Sequence, residues 1–403
     1  MYPYSRPFVS PASSPIRDLY KYLRDPETIG LSGGYPDATL FDIEGLREAS
    51  VRAWQDTRLC LQYGDTDGVV KLKSEIIRLM ERRGVKTAPE NIVVTTGSQQ
   101  AFDLLLTVMV NEGDVVCVED PTYTNNIQAL RVHGARMLPV RSDADGLDVA
   151  QLEDILRTAR TDAERPKLLY TIPTFSNPTG ATMSLARRLH LLELAVKYRF
   201  LIVEDDPYSE IRFNGEPVPS LRALAAEVDG AEDWVVHMAS LSKIVAPGLR
   251  VAWSIAPTEI TRRCAIAKQG ADVGSSAWMQ CIAAEYLAGG RLEAHLERIS
   301  KVYGEKCAAL CSGLRELLGE AVNFHQPDGG MFVWAKLSGD VLAADLLKQA
   351  IEQKVIFVPG AGFHVGSPDP TTLRLSFAAP SVSQITEGVR RLCSAWKALR
   401  APA

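Results

Sequence analysis

The segment Ser240-Leu241-Ser242-Lys243-Ile244-Val245-Ala246-Pro247-Gly248-Leu249-Arg250 places a lysine between small hydroxyl groups, with an arginine seven residues on. A lysine in such a setting can lose part of its affinity for the proton and serve as a Schiff-base nucleophile, although a solvated surface lysine has the same sequence signature. Five further segments carry polar side chains at places where chemistry is possible. Thr95-Thr96-Gly97-Ser98-Gln99-Gln100 joins a β-branched run to a helical pattern. A helix start there suits a phosphate, or simply a serine cap. Asp120-Pro121-Thr122-Tyr123 offers a tyrosine that can stack on a flat ring or fill a turn. Ser176-Asn177-Pro178-Thr179-Gly180 is a natural turn. Val203-Glu204-Asp205-Asp206-Pro207-Tyr208 puts three acids directly after an apolar run, which is costly to bury without partners. Leu373-Arg374-Leu375-Ser376-Phe377 alternates an arginine with apolar residues, as a surface residue or as a bidentate clamp for a carboxylate.

These segments share a position relative to the periodic elements. Short apolar runs at 92–95, 115–118, 136–140, 167–172, 200–204, 235–239 and 251–255 read as seven strands. Helical spacing separates several of them, at 98–110, 147–160 and 184–199. Strands alternating with helices predict an α/β fold with a mostly parallel sheet, in which ligands collect at the carboxyl ends of the strands. Past residue 270 the pattern changes to helices at 276–288 and 292–318, three short strands near 331–336, 355–358 and 372–377, and a last helix near 382–399. That describes a smaller α+β unit. The first ~30 residues, punctuated by Pro3, Pro7, Pro11 and Pro15, read as an arm with little core of its own. The expected division is an arm at 1–45 packing with the small unit, a large domain at 46–270 and a small domain at 271–403.

Taken in order along one chain, the six segments resemble the class I/II aminotransferases, enzymes of fold type I that use pyridoxal 5′-phosphate (PLP). The Ser-Leu-Ser-Lys…Pro-Gly-Leu-Arg stretch is the most specific part of the likeness, which spans nearly the whole chain. The resemblance implies a large domain with a seven-stranded, mostly parallel sheet flanked by helices, and a smaller α+β C-terminal domain. It implies that Lys243 bonds to the cofactor and then moves a proton, that Asp205 pairs with the ring nitrogen, and that Asn177 and Tyr208 bind the ring oxygen. Tyr123 would stack on the ring. Ser98, Gln99, Ser240, Ser242 and Arg250 would hold the phosphate, and Arg374 the substrate α-carboxylate. Leu61-Gln62-Tyr63-Gly64 resembles the segment that sends a tyrosine to the phosphate of a neighbouring subunit, which implies a homodimer with shared sites.

Ser14-Pro15-Ile16-Arg17, Leu31-Ser32-Gly33-Gly34-Tyr35-Pro36 and Pro327-Asp328-Gly329-Gly330-Met331-Phe332-Val333-Trp334 look like the kynurenine/2-aminoadipate aminotransferase group. In that group the arginine matching Arg17 contacts the substrate side chain, and the glycine matching Gly34 lines the site. The group often has Leu or Phe where Tyr35 stands here. The implied reaction moves the amino group of an L-amino acid to a 2-oxo acid such as 2-oxoglutarate.

Composition bounds these expectations. Lys and Arg number 44 against 49 Asp and Glu, a net charge of −5, with no long basic run, which argues against a nucleic-acid face. No apolar run approaches the ~20 residues of a membrane span, and no secretory signal is visible at the start. The seven cysteines are scattered without a C-x-x-C pair, as expected for reduced thiols in a cytoplasmic protein. Two rivals share the lysine and phosphate residues: another PLP reaction, such as β-elimination or decarboxylation, and a non-catalytic PLP-binding regulatory module. Gly360-Ala361-Gly362-Phe363-His364-Val365-Gly366 has the wrong spacing for a dinucleotide fingerprint, and no H-E-x-x-H occurs, so neither a dehydrogenase nor a zinc hydrolase is expected.

Overall fold

Alternation along the central strands decides how the protein is layered. In the computed structural model, which describes residues 2–9 and 15–400, Val116, Val118, Leu168, Tyr170, Leu201 and Val203 belong to one apolar cluster. Their chain neighbours Cys117, Leu169 and Ile202 belong to a second. Successive side chains of a strand point to opposite faces, so a strand apolar at every position must be covered on both sides. Helices supply that cover. Val149–Thr158 and Leu185–Tyr198 pack their apolar stripes into the second cluster. Ser98–Met109, backed by Thr258–Ala271, closes the first. Pro11 and Ser14 lie outside the described residues.

The large sheet runs in the order Ile92–Thr95, Ala252–Ile255, Val235–Ser240, Leu201–Asp206, Pro166–Thr171, Val115–Asp120, Arg136–Asp143, Gly146–Leu147. Ala252–Ile255 is antiparallel to both neighbours, so Ile92–Thr95 points the same way as the central strands. The carboxyl ends of Ile92–Thr95, Val115–Asp120, Pro166–Thr171, Leu201–Asp206 and Val235–Ser240 therefore share one edge. The expected count of seven strands is short by one. Leu147 does not open a helix; with Gly146 it turns back antiparallel on Ser142 and Asp143. Gly146 has φ +83, and a Cβ there would fall 2.8 Å from Met183 Cα, so the turn requires glycine. The helix starts after it, where the Asp148 side chain accepts from Gln151 N–H.

A second sheet is antiparallel, in the order Val322–Phe324, Phe332–Leu337, Thr372–Ser376, Val358–Pro359. Val322–Phe324 had no strand signal in the sequence. The single run expected near 355–358 is divided: Val358 joins this sheet, while Val355 and Ile356 pair in parallel with Ile29 and Gly30. Helices Leu292–Leu317 and Val382–Arg400 pack on each other beside it.

Candidate active site

One cavity of about 300 Å³ opens along the shared carboxyl edge of the large sheet. Of the residues singled out from the sequence, all border it except Tyr63, whose side chain is 85% exposed and lies outside it.

The first corner of the cavity is rich in donors. Gly97, at φ +99, turns the chain from strand Ile92–Thr95 into helix Ser98–Met109, and no side chain caps that helix. A Cβ on Gly97 would sit 2.3 Å from Arg250 Nη2, so glycine lets the guanidinium lie against the turn. Arg250 Nη2 donates to Thr96 O at 3.0 Å. Ser98 Oγ and Gln99 Oε1 are buried without partners. Ser240 Oγ donates to Ser242 Oγ at 2.8 Å, beside the same turn. A helix N-terminus, the unpartnered Ser98 hydroxyl, the Ser240–Ser242 pair and one arginine form a receptor suited to a compact anion.

The second group faces the middle of the cavity. Lys243 follows strand Val235–Ser240, and its Nζ donates to Gly34 O at 2.7 Å. Burial, with Arg374 and Arg250 nearby, draws its ammonium down to about 8. Asp205 is the second-last residue of strand Leu201–Asp206. Its Oδ2 accepts from Tyr170 Oη at 2.7 Å, while its Oδ1 is buried with no partner. Burial lifts this carboxyl to about 6, against the pull of Tyr170. An orphaned acceptor of that kind asks for a donor from whatever fills the cavity. The Tyr123 hydroxyl accepts from Asn125 at 2.8 Å, and burial raises its phenol to about 12. Tyr208 is buried, its ring set edge-on to Phe332 at 5.9 Å.

The third corner belongs to Arg374, in strand Thr372–Ser376. It is 1% exposed and lies over the rings of Phe332 and Phe363, at 4.3 and 4.9 Å. Nη1 donates to Asn177 Oδ1 and Nη2 to Ser32 O, each at 2.8 Å, and Nε has no partner. Burial pulls its pKa to about 10. The remaining N–H donors of its fork suit a carboxylate. Arg17 borders the mouth.

Some residues in and around the site had no signal in the sequence. Tyr20 forms an edge-on pair with Tyr35 at 6.4 Å and 75°. It is a lone tyrosine in the arm, which no spacing rule connects to the site. Tyr170 looks like one more apolar strand residue until the fold sets its hydroxyl against Asp205.

A half-buried lysine, an orphaned carboxylate and a donor-rich helix start around one cavity are the arrangement expected of a family model that this chain matches over residues 27–392, aminotransferase class I and II. The chain belongs to the class I and II aminotransferases. It is 39% identical over 390 residues to the 2-aminoadipate transaminase of Thermus thermophilus, covering 96% of this chain and 95% of the relative. It is 36% identical over 387 residues to aromatic-amino-acid aminotransferase 1 of Thermococcus litoralis, covering 96% and 92%. Its fold superposes on the kynurenine aminotransferase of Pyrococcus horikoshii with a TM-score of 0.93 at 35% identity, covering 99% and 98%. This aminotransferase thus has the α/β architecture of fold type I and works with PLP. The cavity fits that group. The donors at the Gly97–Arg250 corner suit a phosphate, and the unpartnered Asp205 Oδ1 suits a protonated ring nitrogen. Among the described residues no cluster of three or more His, Cys, Asp or Glu side chains could hold a metal, and no helix is long and apolar enough to cross a membrane.

Proposed function

We propose that this aminotransferase takes the amino group from an L-amino acid with a long polar or aromatic side chain, such as 2-aminoadipate or kynurenine. It would pass the group to a 2-oxo acid such as 2-oxoglutarate. The observation that carries this reading is the fully buried Arg374, with N–H donors to spare, sharing one cavity with Lys243. Every amino and 2-oxo acid has the carboxylate that Arg374 would hold. The mouth, with Arg17, Tyr20 and Tyr35, offers one cation and two aromatic faces to the side chain. A Cβ on Gly34 would lie 3.2 Å from Phe332 Cζ, so glycine keeps that wall of the cavity from crowding. The named activities of the relatives support the same range.

When bound, PLP supplies an electron sink that acidifies the substrate Cα–H. Lys243 Nζ takes the Cα proton and returns it; an amine drawn down to about 8 is partly neutral near neutral pH, as a base must be. Asp205 Oδ1 would accept from the protonated ring nitrogen. Tyr208 and Asn177 would hydrogen-bond the ring oxygen, and Tyr123 would stack on the ring. Ser98, Gln99, Ser240, Ser242 and Arg250 would anchor the phosphate.

Tyr63, exposed beside Leu61 and Val70, would reach the phosphate of a second copy, making the working unit a homodimer. The chain divides into an arm at 1–45, a large domain at 46–270 and a small domain at 271–403. Pairing of Ile29–Gly30 with Val355–Ile356 supports an arm that travels with the small domain. Seven free, buried thiols are in keeping with a cytoplasmic protein. A panel of amino acids against 2-oxoglutarate, scored by the spectral change of the cofactor, tests the reading. Acidic and aromatic donors should lead. Product formed well beyond one equivalent per active site with no 2-oxo acid acceptor present would refute transamination.

A further inference from the structure

Glu119 is a carboxyl group that the reaction does not use and that lies outside the cavity lining. It is 2% exposed, in strand Val115–Asp120, and it gathers donors from two other segments. Oε1 accepts from Thr171 Oγ1 and from Ile172 N at 3.3 Å, both at the end of strand Pro166–Thr171. Oε2 accepts from Ser176 Oγ at 3.1 Å, in the turn that follows. The residue after Ser176 is Asn177, whose Oδ1 takes the hydrogen bond of Arg374 Nη1. All of these side chains are buried, so none of the links is shared with bulk water. A continuous chain of contacts runs from Glu119 through Ser176 and Asn177 to the guanidinium.

We propose that Glu119 is a positioning residue that pins the Ser176–Asn177 turn to the sheet and, through Asn177, sets the orientation of Arg374 toward the substrate carboxylate. The inference rests on the reading of Arg374 as the carboxylate clamp. It requires a group that reaches two places at once, the strand end and the turn. A carboxyl group is costly to bury merely as filler. Burial lifts Glu119 to about 7, its three donors pull the other way, and Asp205 pushes it up again. Reach and not charge is therefore the property that matters. Gln keeps that reach, since its amide oxygen can accept from Thr171 and Ile172 while the Ser176 hydroxyl turns to accept from its NH₂. Asp, one methylene shorter, cannot span both.

The test is steady-state kinetics of the holoenzyme carrying Glu119→Asp, Glu119→Gln, Ser176→Ala or Arg374→Lys. Glu119→Asp should raise KM about ten-fold for amino donor and 2-oxo acceptor alike, the loss expected of one buried hydrogen bond to a charged group. Its kcat should fall no more than about three-fold, because the lost interaction is shared by ground and transition states. Glu119→Gln should stay within about two-fold of the parent in both constants, for the same reason. Ser176→Ala cuts only the link to the turn and should raise KM about three-fold, which keeps the test open if Glu119→Asp does not fold. An unchanged KM in both Glu119→Asp and Ser176→Ala, with Arg374→Lys impaired, overturns the role of Glu119 and leaves the clamp standing. An unchanged KM in Arg374→Lys overturns the clamp and the inference with it. A Glu119→Gln as impaired as Glu119→Asp also overturns it, because charge would then be what matters.

Discussion

Three side chains divide the work of the site by the protons they hold. Lys243, half-buried with Arg374 and Arg250 nearby, has its ammonium drawn down to about 8 and can give up its proton near neutral pH. Lys243→Ala should abolish the absorbance of the lysine–cofactor imine and lower kcat by at least about 100-fold, as for loss of a general base. Normal turnover in that variant would refute its role. Arg374→Ala should raise KM for every amino acid by about 10- to 100-fold, since all share the α-carboxylate. An effect confined to some side chains would make Arg374 a specificity residue instead. Asp205 carries a stability consequence. Its carboxyl titrates near 6 in the fold against an ordinary value of 3.8, so the folded protein holds this proton more tightly than the unfolded chain. Its contribution is fully present below the unfolded value and is lost as pH rises through about 6. The cofactor-free Asp205→Asn protein should therefore melt several degrees above cofactor-free parent at pH 7.5 and lose that advantage by pH 4. Equal melting at both pH values would count against a buried, unpaired carboxylate.

At the scale of elements, the site depends on strands that end together and on turns that follow them. Each turn takes its direction from one local feature. Gly97 supplies a backbone angle and a vacancy for Arg250; Asn177 follows a strand, and Asp205 lies near the end of another, that are buried on both faces and cannot shift without moving two cores. Gly97→Ala puts a methyl group where the guanidinium lies and strains a φ of +99. It should weaken PLP binding by at least about ten-fold while far-UV circular dichroism stays unchanged, because helix Ser98–Met109 lies beyond the turn. Unaltered PLP affinity in a spectrophotometric titration would show that the turn does not hold the phosphate. These features were legible because each motif sits directly after a run that reads as a strand. Other elements were not. Helix Thr124–Val132 has polar residues in its first turn and a weak apolar stripe, so no periodicity marks it. Strand Val322–Phe324 is three residues long and gains its identity only from Phe332–Leu337 beside it.

For the molecule as a whole, the question is what covers the exposed apolar side chains near Tyr63. Trp54, Leu61, Tyr63 and Val70 are all more than half exposed, on segments that pack against helix Ala277–Ala288. We propose that these exposed apolar side chains mark an interface with a second copy. Sedimentation should give a particle of twice the chain mass, and Tyr63→Phe should weaken PLP binding several-fold while leaving the dimer intact, the scale of one hydrogen bond to an anion. A monomer with full activity would remove both the dimer and the shared phosphate contact.

The sequence by itself determined the fold class and most of the site, because local rules suffice there. Strand and helix periods differ, and a parallel sheet delivers every strand end to one edge, so the segments around Lys243, Asp205, Asn177 and Gly97 had to converge. What only the tertiary structure decided involves partners far apart in sequence. The hydroxyl of Tyr170 on Asp205, the pairing of Ile29 with Val355, the tyrosines at 20 and 35 and the reach of Glu119 to Ser176 leave no periodic trace. Each exists because packing brings the groups within hydrogen-bond or contact distance, and a buried polar group must find its partner wherever the fold has put one.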